Sequence, residues 1–216
     1  MSLMQLLVLA DSRLPTGGHV HSGGVEEAIT CGLVGDLGTL RAYLCRRIRT
    51  HGVVSASVAA AVAGRRLSVP DADHETDART PSPAARQVSR TQGRGLVRLA
   101  RRVWPDFLLD GVNAWDALGG TPHLAVAIGV VGCSAGLTPL QTAESVVYTT
   151  MTGTATAAQR LLALDPADVA ALTFELAPLC AETAACAQHD VADLSDPLLD
   201  VLAQRHVERD RPLFVS

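Results

Sequence analysis

TPLQTAESVVYTTMTGTATAAQRLLAL, residues Thr138 to Leu164, opens with a threonine, a proline and, three positions after the threonine, a glutamine. Threonine caps a helix through its hydroxyl, proline loses nothing at the first helical position, and Thr138 with Gln141 has the spacing of a reciprocal capping box. Behind that start, Leu140, Ala143, Val147 and Met151, then Ala155, Ala158 and Leu162, recur at three- and four-residue steps. That period gives one apolar stripe on a long helix.

The same start, a small polar residue followed by proline, recurs at Thr121-Pro122, Asp165-Pro166 and Asp196-Pro197. Working outward, helical periodicity covers Leu3 to Asp11, Gly24 to Cys31, Leu37 to Arg66, Ala84 to Val103, Pro122 to Ala135, Pro139 to Leu164, Pro166 to Gln188 and Pro197 to His206. No segment alternates as a strand bounded by turns. The expected fold is all-α, a single-domain bundle of about eight to ten helices spanning residues 1–216. Residues 68–83, SVPDADHETDARTPSP, are acidic and proline-punctuated and read as a mobile loop. Residues 207–216 read as an extended tail ending in an apolar pair, Leu213 and Phe214, either tucked onto the domain or waiting for a partner.

Composition narrows the chemistry. At 216 residues the chain can bury a full core without disulfides or metal. Hydrophobic residues make up 48% and aromatic ones 3%, so the core is built from Ala, Leu and Val on helices that approach closely. All 18 basic residues are arginine, which excludes a P-loop lysine, a Schiff-base lysine and a lysine general base. The net charge of −4 argues against nucleic acid as a partner. The five cysteines are scattered and form no zinc or disulfide pattern. The N-terminal run lacks a preceding basic residue and does not read as a signal peptide. Leu124 to Leu137 is too short for a span of roughly 20 residues, so a cytoplasmic chain without membrane contact is expected.

Four features carry candidate chemistry. Gly17-Gly18 and Gly23-Gly24 could present backbone N–H groups to an anion, although glycine's ordinary use is a bend. His19 and His21 could contact a metal transiently, yet two residues apart they do not converge on a helix or a strand. Glu26 and Glu27 fall in a first helical turn, where the dipole favours negative charge. Arg86, Arg90, Arg94, Arg98, Arg101 and Arg102 share one helix face, either solvated or facing an acidic protein surface.

LLVLADSRLPTGGHVHSGGVEE, Leu6 to Glu27, resembles the opening signature of UreF-type urease accessory proteins. Leu14, Pro15, Thr16, Gly17, Gly18, His21, Ser22, Gly23, Gly24 and Glu26 fall on that pattern. SRTQGRGLVRLARRVWP (Ser89 to Pro105), HLAVAIGVV (His123 to Val131), AAQRLLAL (Ala157 to Leu164) and the C-terminal RPLFVS (Arg211 to Ser216) are similar to later family segments. Three positions depart from the pattern: His19 replaces an aromatic residue, Pro212 separates Arg211 from Leu213, and Ala163 to Pro166 replaces a Pro-Leu-Gly-Gln motif.

The resemblance implies an all-α protein without catalytic activity of its own. It implies assembly, as a homodimer within a complex, with a UreD/UreH-type accessory protein and the GTPase UreG. That complex delivers nickel to apo-urease, helps form its carbamylated-lysine dinickel centre and modulates the GTPase; nickel is handled by the complex and no cofactor is bound tightly. Partner contacts are expected at Leu14, Pro15, Thr16, Gly17, Gly18, His21, Ser22, Gly23 and Glu26, and in the tail at Arg211, Leu213, Phe214 and Ser216. The competing expectation is a nickel carrier or metalloenzyme using His19 and His21.

Overall fold

The computed structural model describes residues 3–15, 21–209 and 213–214. It is an all-α bundle. The helices are α1 (Leu3–Leu9), α2 (Val25–Thr30), α3 (Leu37–Arg47), α4 (Val53–Ala63), α5 (Val69–Ala78), α6 (Pro83–Val103), α7 (Ala114–Ala117), α8 (Leu124–Ser134), α9 (Pro139–Leu162), α10 (Pro166–Ala187) and α11 (Pro197–Val207). α4 lies at the centre, packed on α8, α9 and α10, and α6 covers the far side of α8. Ala56 to Val62 of α4 and Ala125 to Gly132 of α8 are buried on every side, as befits helices enclosed by others. The scarcity of aromatic side chains is offset by close approach: a Cβ at Gly129 would lie 2.6 Å from Val62 Cβ, and one at Gly132 would lie 2.4 Å from Thr142 Oγ1.

The α9 start is as its sequence requires. Thr138 Oγ1 accepts from Gln141 N at 3.1 Å, and Gln141 Oε1 accepts from Thr138 N at 3.0 Å. Asp165 and Asp196 cap α10 and α11 without a reciprocal bond, their carboxylates accepting from Ala167 N and Leu198 N, each with proline following. Thr121-Pro122 differs. α8 begins at Leu124 with His123 at the cap, because Asp73 Oδ1 accepts from His123 N and the Ser89 hydroxyl accepts from Leu124 N. Side chains from α5 and α6 thus start the helix.

Three further elements depart from expectation. Residues 68–83 are not a loop throughout: Ser68 caps α5, and Val69, Ala72 and Thr76 form a buried stripe beneath its acidic face. The expected helix from Leu37 to Arg66 is divided by a π-helical turn, Ile48–Gly52, where the Thr50 hydroxyl donates back to Arg46 O at 2.9 Å. Leu108–Leu109 (β1) and Val112–Asn113 (β2) form a small antiparallel hairpin. Its turn, Asp110 at φ 52° and Gly111 at φ 84°, has the positive angles that match strand twist. α10 is the one described helix long and apolar enough by composition to cross a membrane; its inner stripe from Val169 to Ala187 packs on α9 and α4.

Candidate functional site

The bend before α2 is built around Gly23 and Gly24, at φ 64° and 83°, where a side chain is strained. α3 starts at a capping box between Asp36 and Thr39 and carries Tyr43 and Arg47 to this bend. The Tyr43 hydroxyl donates to Gly23 O at 3.0 Å. A Cβ at Gly23 would lie 2.7 Å from Thr154 Oγ1 and 2.9 Å from the Arg47 guanidinium carbon; one at Gly24 would lie 2.9 Å from the Tyr43 hydroxyl. The glycines therefore serve both the turn and the close approach of α3 and α9. Ser22 is buried, and its hydroxyl accepts from Glu26 N at 3.4 Å.

Glu26 and Glu27 open α2 but do more than favour its dipole. Both are buried. The Glu26 carboxylate accepts from Leu213 N at 2.7 Å and from Phe214 N at 3.0 Å, so it clamps the tail. His206 of α11 backs the clamp, with Nδ1 3.8 Å from Glu26 Oε2 and Nε2 3.2 Å from Phe214 O. Glu27 pairs with Arg209 at 3.2 Å and accepts from Cys31 Sγ. The apolar pair divides: Phe214 packs against the core while Leu213 is 81% exposed.

Between the bend, the π-turn and α9 lies a cleft of about 230 Å³, lined among others by Leu14, His21, Gly23, Arg47, His51, Thr154 and Phe214. Arg47 and His51, four residues apart across the π-turn, share this wall. His51 is exposed on its outer side, while desolvation of the rest and the neighbouring Arg47 charge lower its pKa. Burial likewise lowers the Arg47 pKa.

A second polar cluster joins α5, α6 and the start of α8. His123 is fully buried, with Nε2 2.8 Å from Asp77 Oδ1 and Nδ1 3.0 Å from Ser89 Oγ. The carboxylate can only accept, so Nε2 carries the proton and Nδ1 of the neutral ring accepts from Ser89. Arg90 bridges Asp73 and Asp77 at 2.8 Å each. Burial opposes charge on Asp77, but the His123 hydrogen bond and the Arg90 charge outweigh it, and its pKa falls. Burial dominates at His123 and lowers its pKa. Asp73, Asp77 and His123 are the described groups close enough together to hold a cation. A guanidinium already bridges the two carboxylates, so the donor set fits an ion-pair network better than a metal centre.

The six-arginine face of α6 separates similarly. Arg86 and Arg90 engage Asp77, and Arg101 engages Asp116. Arg94, Arg98 and Arg102 lie exposed.

The expected site residues are thus partly gathered. Leu14, His21, Gly23 and Phe214 meet at the cleft, Glu26 holds the tail, and Pro15 is exposed. Thr16, Gly17, Gly18, His19, Arg211, Pro212 and Ser216 lie outside the described residues. Sequence reading missed Arg47, His51, Thr154 and His206. Only the Arg47 to His51 spacing on one helix offered a signal; their convergence with Gly23 and Thr154 is tertiary.

Similarity to known proteins runs the length of the chain. The UreF family model matches residues 34–177. The urease accessory protein UreF of Mycolicibacterium vanbaalenii is 71% identical over 220 residues, covering 100% of this chain and 99% of the relative. That of Mycobacterium sp. strain JLS is 71% identical and that of Mycobacterium marinum 67%, each over 215 residues with the same coverage. With this helical architecture and the glycine bend at its α2 entrance, the chain belongs to the UreF family.

Proposed function

We propose that the chain is a non-enzymatic assembly factor in urease maturation. It joins a UreD/UreH-type accessory protein and the GTPase UreG, as a homodimer within the complex, so that nickel reaches apo-urease. The observation that carries this is end-to-end identity of 64–71% to proteins named urease accessory protein UreF. Nickel is the cargo of the complex. Nucleotide chemistry falls to the partner's P-loop, because this chain has no lysine to supply one.

The bend and the tail supply the contact surfaces in this reading. Leu213 supports it: its backbone is pinned by Glu26 while its side chain points to solvent, a posture that favours contact with another protein. Co-expression with the urease operon, followed by capture of a tagged chain, tests the proposal. The wild type should retain the UreD/UreH-type protein and UreG, and Leu213→Asp should lose them while keeping its helical circular dichroism. Undiminished capture by Leu213→Asp would remove the tail surface, and failure of the wild type to retain either protein would overturn the assembly role.

A further inference from the structure

Arg47 has no ion-pair contact among the described residues, although the charge of Asp196 acts on it from a distance. Among the same residues its guanidinium donates no hydrogen bond, and its Nε is buried without a partner. Asp196, whose charge reaches Arg47, and Asp11 of the cleft wall are engaged elsewhere. Asp196 is held by Arg46 at 2.6 and 2.7 Å and by Thr50 at 3.1 Å, and Asp11, which lines the same cleft, is held by Arg13 at 2.6 to 3.0 Å. A guanidinium cannot shed its proton in a protein, so desolvation without a partner destabilises the fold. A bound oxyanion would satisfy such a group with two charge-assisted hydrogen bonds.

The cleft around Arg47 suits a small visitor. Its volume of about 230 Å³ is below the range of roughly 300–1,000 Å³ typical for drug-sized ligands. Ser145, Thr149 and Thr152 line it, but each hydroxyl donates to an α9 carbonyl, at 2.7, 2.8 and 3.0 Å. Thr150, Thr154 and Thr156 line it without such a bond, and of the three only Thr154 is buried. Thr154 stands beside Arg47 across Gly23, and its hydroxyl donates no hydrogen bond among the described residues. Gly23 is the reason both groups reach the same point, since any Cβ there would fill the gap. The adjacent π-turn is a rare element that tends to mark functional positions.

We propose that this cleft binds a small inorganic oxyanion, clasped by the Arg47 guanidinium fork and the Thr154 hydroxyl. The fork presents two parallel N–H groups to coplanar oxygens, which phosphate and bicarbonate both offer. The inference rests on the cleft alone and stands apart from the assembly role.

The test uses the purified full-length chain, with inorganic phosphate and sodium bicarbonate as separate probes and chloride at equal ionic strength as reference. Each oxyanion that binds raises the unfolding midpoint with the logarithm of its concentration above Kd, by about 3–6 °C at ten times Kd. Binding by one alone assigns tetrahedral or trigonal geometry, and either supports the site. Arg47→Gln should weaken binding by at least about 100-fold and Thr154→Val by about 10-fold. Without anion, Arg47→Gln should unfold no earlier than the wild type, because it removes an unpaired charge. The Arg47 Nε–H resonance of the wild type should move along a saturation curve with the same Kd, which keeps the test independent of any variant's folding. Absence of saturable binding beyond chloride, unchanged affinity in Arg47→Gln, or a still Nε–H resonance would overturn the proposal.

Discussion

Replacing Glu26 with glutamine tests whether one buried carboxylate holds the tail. The wild-type carboxylate accepts from two consecutive backbone amides, Leu213 N at 2.7 Å and Phe214 N at 3.0 Å. Glutamine keeps the shape but has one oxygen, so one amide faces an NH2 group and the other loses the charge of its acceptor. Hydrogen bonds to charged acceptors contribute about 1.5–3 kcal/mol and neutral ones about 0.5–1.5. Losing one and weakening the other costs the docked tail about 2–4 kcal/mol. The penalty cannot spread further, because a released tail rehydrates its amides in water. Amide hydrogen exchange at Leu213 and Phe214 should therefore accelerate about 30- to 1,000-fold, or to the unprotected rate if that comes first, while α4 and α8 keep their protection. Glu27→Gln is the control: Glu27 touches side chains of Arg209 and Cys31, so the same two amides should be unaffected. Equal protection in Glu26→Gln, or no protection in the wild type, would refute the clamp.

The buried histidine makes stability pH-dependent. With the folded pKa of His123 lowered by burial, the unfolded chain takes up a proton below the ordinary 6.5 and the folded one does not. Stability is therefore present above that pH and falls as pH drops toward the folded value, by at most about 1.4 kcal/mol per unit from His123. His51, more open to solvent, adds less over the same window, and Asp77 extends the loss below its ordinary 3.8. Urea unfolding of His123→Asn between pH 7 and 5 should show a shallower slope than the wild type; an unchanged slope would contradict a neutral buried ring. Two glycines give opposite outcomes. Gly129→Ala drives a methyl to 2.6 Å from Val62 Cβ and should cost about 1–3 kcal/mol, whereas Gly153→Ala meets nothing within 4 Å and should stabilise α9 by about 0.5–1 kcal/mol in the same urea assay.

What the chain declares locally is what can be read from it. Thr138, Asp165 and Asp196 announce their helices because cap, proline and apolar period lie within a few residues and agree. α5 was obscured by composition: its ten residues carry three aspartates and a glutamate, and its buried stripe is only Val69, Ala72 and Thr76. Its cap, Ser68 with Asp71 three residues on, was nonetheless legible. So was the Asp110-Gly111 turn of the hairpin, a strong short-range signal hidden by strands of two residues each. Thr121-Pro122 misled because α8 is started by Asp73 and Ser89, from elements closed by tertiary packing.

The glycine bend shows why a site is harder to read than a fold. Its order of residues is distinctive, yet each taken alone is ambiguous: a Gly-Gly pair suits a turn, a histidine suits a surface or a metal, and two glutamates suit a helix start. Tertiary contact resolves them into separate tasks. Gly23 and Gly24 admit Arg47, Thr154 and Tyr43, and Glu26 receives the tail from nearly the other end of the chain. Because the clamp and the cleft meet at Phe214, a tail lifted from Glu26 withdraws Phe214 from the cleft wall that Arg47 also lines. An exchange measurement on the tail amides, made with and without phosphate, tests whether occupancy of the cleft changes the hold on the tail.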